Sequence, residues 1–309
     1  MTTMENAIRV TQSQEQIQQL ESRPTSAKNL SGSSSSSSTL VLSVMSQKGG
    51  VGKSTVTVLL ANLFFFKYGL KVCIIDADYP QCSISKKRKT ELDLLEHQAH
   101  LAKIYNRIYR INEDSSSTNS KSPYPIIATD LKNCARKITT QKSQADKFDI
   151  ILVDAPGTVN QDGLLSYMRQ VSHFMIPTLQ DDFSIKSALE FYALTHQLGA
   201  ELPNYKDSFL FFNKVPHKNK LSSLVPTLQG KVNLLDTHLS AFTQFERTFR
   251  STLFPIPHKE NLRPYQDLLR FTEIVLIKLG LEDRIEKACP YNSILPIMPM
   301  VKSVATSVS

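Results

Sequence analysis

The feature that most constrains this chain is the octet Lys48-Gly49-Gly50-Val51-Gly52-Lys53-Ser54-Thr55. It stands between an apolar, β-branched run, Leu40-Val41-Leu42-Ser43-Val44-Met45, and a helical pattern at Val56, Leu59, Leu60, Leu63 and Phe64. Strand, glycine-rich loop and helix in that order build an anion site. The glycines let the backbone curl until its N–H groups converge on phosphate oxygens, and the helix N-terminus adds partial positive charge. In such a loop Lys53 reaches the β- and γ-phosphates and the Ser54 hydroxyl is offered to Mg²⁺. The strict spacing GxxxxGK[ST] is not met, because the residue five before Gly52 is Gln47. An additional lysine, Lys48, marks a deviant form.

Three further apolar runs, residues 72–75, 150–153 and 209–212, read as buried parallel strands. Helical stretches flank each, so the chain is expected to form βα units, giving a doubly wound, mostly parallel α/β sheet with helices on both faces. Weaker strand candidates at residues 124–128, 174–177 and 253–256 raise the expectation to about seven strands in one domain of about 250 residues. Between the second and third main strands, Leu94, Leu101, Ile104, Tyr105 and Ile108 are spaced for the apolar face of one basic helix. The polar run 112–120 that follows has the composition of a mobile surface loop. Residues 1–38 are rich in Gln and Ser and close on a serine run, which predicts a disordered tail. The domain is thus expected over 39–289, with an irregular, proline-interrupted tail over 290–309.

Acids recur where strands end. Asp76-Ala77-Asp78 closes the second strand, and ligands of parallel sheets sit at the carboxyl ends of the strands. Two carboxylates so close repel unless a cation or donors stand between them, which a magnesium-bound triphosphate supplies. Asp154, in Asp154-Ala155-Pro156-Gly157, ends another apolar strand and suits a Mg²⁺-bound water, while the Gly157 N–H is placed to sense a γ-phosphate. Asn213 follows residues 209–212, and its amide can pair with the N6 and N7 edge of adenine or simply make a turn.

Lys+Arg 36 against Asp+Glu 28 leaves a net charge of +8, which suits a polyanionic partner without choosing one. The Ser/Gln tail contributes none of it, since Arg9, Arg23 and Lys28 balance Glu5, Glu15 and Glu21. Cys73, Cys82, Cys134 and Cys289 form no CxxC pair, which argues against a disulfide framework, a zinc knuckle or an iron–sulfur carrier and for a reducing, cytosolic compartment. The start of the chain lacks the apolar core of a secretion signal, and Asn62 interrupts the most apolar stretch far short of the ~20 residues a membrane span needs.

Together, residues 48–55, Asp76-Ala77-Asp78 and Asp154-Ala155-Pro156-Gly157 resemble the ParA/MinD group of deviant Walker A ATPases. Asp76-Ala77-Asp78-Tyr79-Pro80-Gln81 is closer to the DxDPQ of ParA than to the DADxGL of MinD. The inserted Tyr79 and the stretch Phe212-Asn213-Lys214-Val215 resemble ParA-like proteins of Bacteroides conjugative elements. The resemblance implies an ATP hydrolase using Mg²⁺, with Gly49, Gly50, Val51, Gly52, Lys53, Ser54, Thr55, Gly157 and Asn213 around the nucleotide. Ser54, Asp76 and Asp154 would serve the metal and Thr55 the α-phosphate. Asp78 would orient the attacking water, and Lys48 would cross an ATP-dependent homodimer to touch the partner's nucleotide. It further implies non-specific DNA binding and a ParB-like or conjugation-system partner, in partition, positioning or conjugative transfer. Basic candidates for a DNA surface are Lys86-Lys87-Arg88-Lys89, Lys218, Lys220, Arg247 and Arg250. Other readings are a nucleotide-binding regulatory module with negligible turnover and a MinD-like membrane-associated ATPase. For the latter the proline-broken stretch 294–299 makes a poor amphipathic anchor.

Overall fold

The computed structural model describes residues 39–109, 122–144, 148–157, 162–216, 221, 224–257 and 262–286. The expected tails over 1–38 and 290–309, the run 112–120, Lys218, Lys220 and Cys289 lie outside the described residues.

The apolar runs become strands whose alternate residues feed two cores. In β1 (Leu40–Val44), Leu40, Leu42 and Val44 enter one cluster, while Val41 joins the other. The same period of two holds in β2 (Val72–Asp76), β4 (Ile150–Asp154) and β6 (Asp207–Val215). With β3 (Ile126–Ala128), β5 (His173–Thr178) and β7 (Leu234–Ser240) they form one sheet of order β3-β2-β4-β1-β5-β6-β7. Neighbours are parallel throughout, so each connection is a crossover and all strand ends gather at one edge. The chain leaves β1 past β4 to reach β2, and returns from β4 past β1 to β5. The order therefore reverses beside β1, where such sheets open their binding crevice.

Helices α1 (Lys53–Phe66), α2 (Ser83–His97), α3 (Ala99–Tyr109) and α9 (Arg263–Lys278) belong to one face. Helices α4 (Leu131–Lys142), α5 (Leu164–Met168), α6 (Asp182–Gly199) and α7 (Leu224–Leu228) belong to the other, and the short α8 (Thr243–Glu246) follows β7. Helix α1 packs on β1, β2 and β4 and is covered by α2 and α9, so Val56, Leu59, Leu60, Leu63 and Phe64 are all buried. Each such side chain contributes about 1.5–3 kcal/mol. Among the described residues no helix is long and apolar enough to cross a membrane.

Three expectations need correction. The single helix expected through Leu94 and Ile108 is two helices, broken at Gln98, whose backbone is extended. Its apolar residues face the core as their spacing implied, with Leu101 and Ile108 buried. Residues 253–256 are not a strand: the backbone there bonds to side chains, chiefly Asn62 of α1, rather than to a neighbouring strand. The seventh strand is instead β7, whose sequence Leu-Leu-Asp-Thr-His-Leu-Ser is polar because it lies at the sheet's edge.

Candidate nucleotide site

The loop between β1 and α1 is set by two glycines in the left-handed region, Gly50 (φ +75°) and Gly52 (φ +94°), the second capping α1. Gly49, Gly50, Gly52, Lys53, Ser54 and Thr55 line a cavity of about 960 Å³. Asp78 and Gly157 line it from the ends of β2 and β4. Val51 is wholly buried beneath the loop. Gly157 packs against the β1 end: a Cβ there would stand 3.2 Å from the Ser46 carbonyl and 3.5 Å from Lys53 Nζ. The contact with the carbonyl is the tight one, so a side chain at 157 would press on the backbone that leads into the loop, while Lys53 Nζ stands at ordinary contact distance.

Asp76 and Asp154 face each other in register on adjacent strands and are both buried. Asp76 Oδ2 accepts the Ser85 N–H at 2.8 Å, while its Oδ1 has no partner among the described residues. Burial raises the Asp76 pKa, with hydrogen bonds from Ser85 and Ile84 opposing and Asp78 adding to the rise. Both oxygens of Asp154 are buried and without a hydrogen-bond partner among the described residues. Burial pushes this carboxyl up to about 7, with Ser54 and Lys53 opposing and the charges of Asp76 and Asp78 adding. Three orphaned carboxylate oxygens below a lysine and a serine hydroxyl fit a divalent cation with its waters. No group of three His, Cys, Asp or Glu side chains forms a metal cage among the described residues. Mg²⁺ does not need one, being held by one or two carboxylates plus substrate phosphates.

Lys48 does not line the cavity. It is exposed at the head of the loop, and its charge helps hold the Asp181 carboxyl low, after the hydrogen bonds from Ser184 that Asp181 accepts as N-cap of α6. Asn213, at the carboxyl end of β6, is buried with its amide already bonded to the loop and to its own strand end.

The opposite wall was not legible beforehand. Lys214, Glu246, Arg247 and Arg250 line it, and Lys214 Nζ pairs with Glu246 Oε1 at 2.9 Å. That pairing, with Arg250 and Arg247 nearby, lowers the Glu246 pKa. Arg247 and Arg250 were expected as candidates for a DNA surface, and both line this cavity wall; Glu246 gave no signal. A second, smaller pocket of about 180 Å³, lined by Val56, Leu59, Asn213, Leu239, Phe242 and Phe245 among others, shares Thr55, Lys214 and Glu246 with the first.

The Lys86-Lys87-Arg88-Lys89 cluster is not one basic face. Arg88 turns inward, donating to Thr252 Oγ1 and to the Thr252 and Tyr124 carbonyls while lying over the Tyr124 ring. Lys87 pairs with Glu91 one turn on, and Lys86 reaches the Pro80 carbonyl.

Solved structures share this fold across most of the chain. A plasmid partition protein from Borrelia burgdorferi B31, bound to AMPPNP, is 22% identical with a TM-score of 0.53, covering 78% of this chain and 99% of that one. The septum site-determining protein MinD of Pyrococcus horikoshii OT3, complexed with Mg-ADP, is 18% identical with a TM-score of 0.54, covering 79% and 98%. An uncharacterized ATP-binding protein of Methanocaldococcus jannaschii is 24% identical over 173 residues, 53% of this chain and 62% of its own length. The chain thus spans less than two thirds of that relative. The family described as ParA, NUBPL iron-transfer P-loop NTPase, matches residues 37–202, more than half of the chain. By that match, and by a phosphate loop at the end of β1 facing acids at the ends of β2 and β4, the chain belongs to the ParA family of P-loop NTPases.

Proposed function

We propose that this protein is an ATP-dependent dimerisation switch that hydrolyses ATP to ADP and phosphate in the partition, positioning or conjugative transfer of a mobile DNA element. The observation that carries the reading is a cavity lined by Lys53, Ser54 and Asp78, with Lys53 and Ser54 also acting on Asp154, whose buried carboxylate oxygens, like Asp76 Oδ1, have no hydrogen-bond partner among the described residues. An arrangement that leaves such groups unsatisfied in the apo protein is built for a charged ligand.

The triphosphate lies along the loop, with Lys53 on the β- and γ-phosphates, Thr55 at the α-phosphate and the Gly157 N–H beside the γ-phosphate. Bound Mg²⁺ would neutralise charge developing on the β- and γ-phosphate oxygens, held by the Ser54 hydroxyl and Asp154 with Asp76 behind them. Asp78, half-buried on the cavity wall, holds the attacking water. Lys48 is exposed outside its own cavity, which suits a cation acting on the nucleotide of a second copy, as an arginine finger does. Turnover is then slow until two protomers meet, and a ParB-like or conjugation-system partner can govern it. Non-specific DNA binding accounts for the surplus positive charge and would weaken steeply with salt.

The family description also names iron transfer. Burial pushes the Cys73 and Cys134 thiols up to about 12, so both stay protonated and make poor metal ligands.

The test compares wild type, Lys48→Ala, Lys53→Ala and Asp78→Ala for ATP-dependent dimerisation, DNA co-sedimentation and single-turnover hydrolysis. Lys53→Ala is expected to lose every nucleotide response, and Asp78→Ala to persist as a DNA-bound dimer. Normal hydrolysis by Asp78→Ala would refute its role with the water. Absent wild-type turnover, with and without DNA, would leave only a nucleotide-binding regulatory module.

A further inference from the structure

Asn213 carries an arrangement that base recognition does not require. It is only 5% exposed at the carboxyl end of β6, and its Nδ2 donates to the Val51 carbonyl at 2.7 Å. Its Oδ1 accepts the Lys214 N–H at 2.9 Å. One amide thus ties two turns that are distant in sequence, each with a residue in the left-handed region: Gly52 at φ +94° and Lys214 at φ +54°. The fit at the loop is close, since a Cβ on Gly52 would stand 2.5 Å from Asn213 Nδ2.

The Val51–Gly52 peptide is a planar trans unit, so its carbonyl and its N–H point in opposite directions. Anchoring the Val51 carbonyl on Asn213 therefore aims the Gly52 N–H away from β6, on the cavity side that Gly52 lines. Without that anchor the orientation of the peptide is held on one flank only, by the buried Val51, because the other flank, Gly52, offers no side chain to resist rotation. Binding would then have to order the loop as well as fill it.

We propose that Asn213 is a positioning residue for phosphate binding, locking the Val51–Gly52 peptide so that the Gly52 N–H meets the triphosphate. The inference rests on the reading of the cavity as a nucleoside triphosphate site. It reassigns Asn213 from the adenine edge: Nδ2 and Oδ1 are both engaged by backbone, and Asn213 is not among the residues that line the larger cavity.

Titration calorimetry on the full chain with Mg-ATP, Mg-GTP and inorganic tripolyphosphate separates the two roles, because tripolyphosphate has no base. The variants are Asn213→Ala and Asn213→Asp; the second keeps the shape and the acceptor for Lys214 but has no N–H for Val51. Both are expected to lose about tenfold or more in affinity for all three ligands, with the ATP-to-GTP ratio unchanged. Loss of ATP affinity alone, with tripolyphosphate unaffected and the ratio collapsed, would make Asn213 a base reader and overturn the inference. Unchanged affinities in the Asp variant would overturn it as well. Wild type that binds none of the three would refute the nucleotide reading itself, before any variant is considered.

Discussion

Helix α1 starts at the phosphate loop, and among its buried apolar side chains stands one buried asparagine that ties it to a distant segment of irregular chain. Asn62 Nδ2 donates to the Ser251 carbonyl at 3.1 Å and to the Phe254 carbonyl at 2.8 Å, and its Oδ1 accepts the Ile256 N–H at 3.0 Å. The segment it satisfies begins one residue after Arg250 of the cavity wall, and Thr252, Leu253 and Ile256 within it are buried. Asn62→Ala would strip partners from two carbonyls and one N–H, each an unsatisfied group worth about 1–3 kcal/mol when buried. Allowing for relaxation and shared effects, the expected destabilisation is roughly 3–6 kcal/mol, a large part of the ~5–15 kcal/mol of a typical domain. Urea unfolding read by circular dichroism measures it, with the slope checked for constancy, and the melting temperature is expected to fall by roughly 10 °C or more. Asn62→Asp should do as badly, since it turns a second oxygen toward the two carbonyls. A loss below about 1 kcal/mol at constant slope would refute the reasoning, because these groups would then find other partners as easily.

Asp154→Asn removes a buried carboxylate whose oxygens have no hydrogen-bond partner among the described residues, so at pH 8 the variant is expected to be more stable than wild type by about 2 kcal/mol while losing Mg²⁺-dependent hydrolysis; thermal melts beside an ATPase assay check both. The sign follows from the raised pKa, since wild type gives up stability as the pH climbs from about 4 to about 7 and the amide has no proton to lose. His173 acts in the opposite direction: burial first, then Lys206, hold its pKa down to about 4. The unfolded chain takes up the proton first, so stability is full above about 6.5 and falls by about 3 kcal/mol as the pH drops to about 4. His173→Phe, which keeps the stack on Phe209, is expected to remove that share of the acid sensitivity in denaturant titrations at pH 7 and pH 4.5. An equal loss in both proteins would show that other groups carry it.

The loop, the acids and the central strands were legible because their signals are local. A glycine that must take a positive φ before GK[ST], and apolar runs buried on both faces, declare themselves within a few residues. Residues 253–256 misled for the same reason: an apolar stretch can be buried as irregular chain if distant side chains serve its backbone, and Asn62 does so from 192 positions away at Phe254. Strand β7 was missed because an edge strand has no need of continuous apolar residues.

The sequence alone determined the chemistry on offer: a phosphate loop, a serine for a cation, and acids at strand ends, since spacing along a β-loop-α unit dictates where those groups fall. Tertiary structure alone decided who else attends the site. The order β3-β2-β4-β1-β5-β6-β7 brings the ends of β6 and α8 round to a loop more than 150 residues earlier, placing Asn213 under Val51 and Glu246 opposite Thr55. It also turns Arg88 inward and leaves Lys48 outside. Those placements depend on which strands pair and which helices cover them, and pairing is settled by burial summed over the whole sheet rather than by any neighbouring residues in the chain.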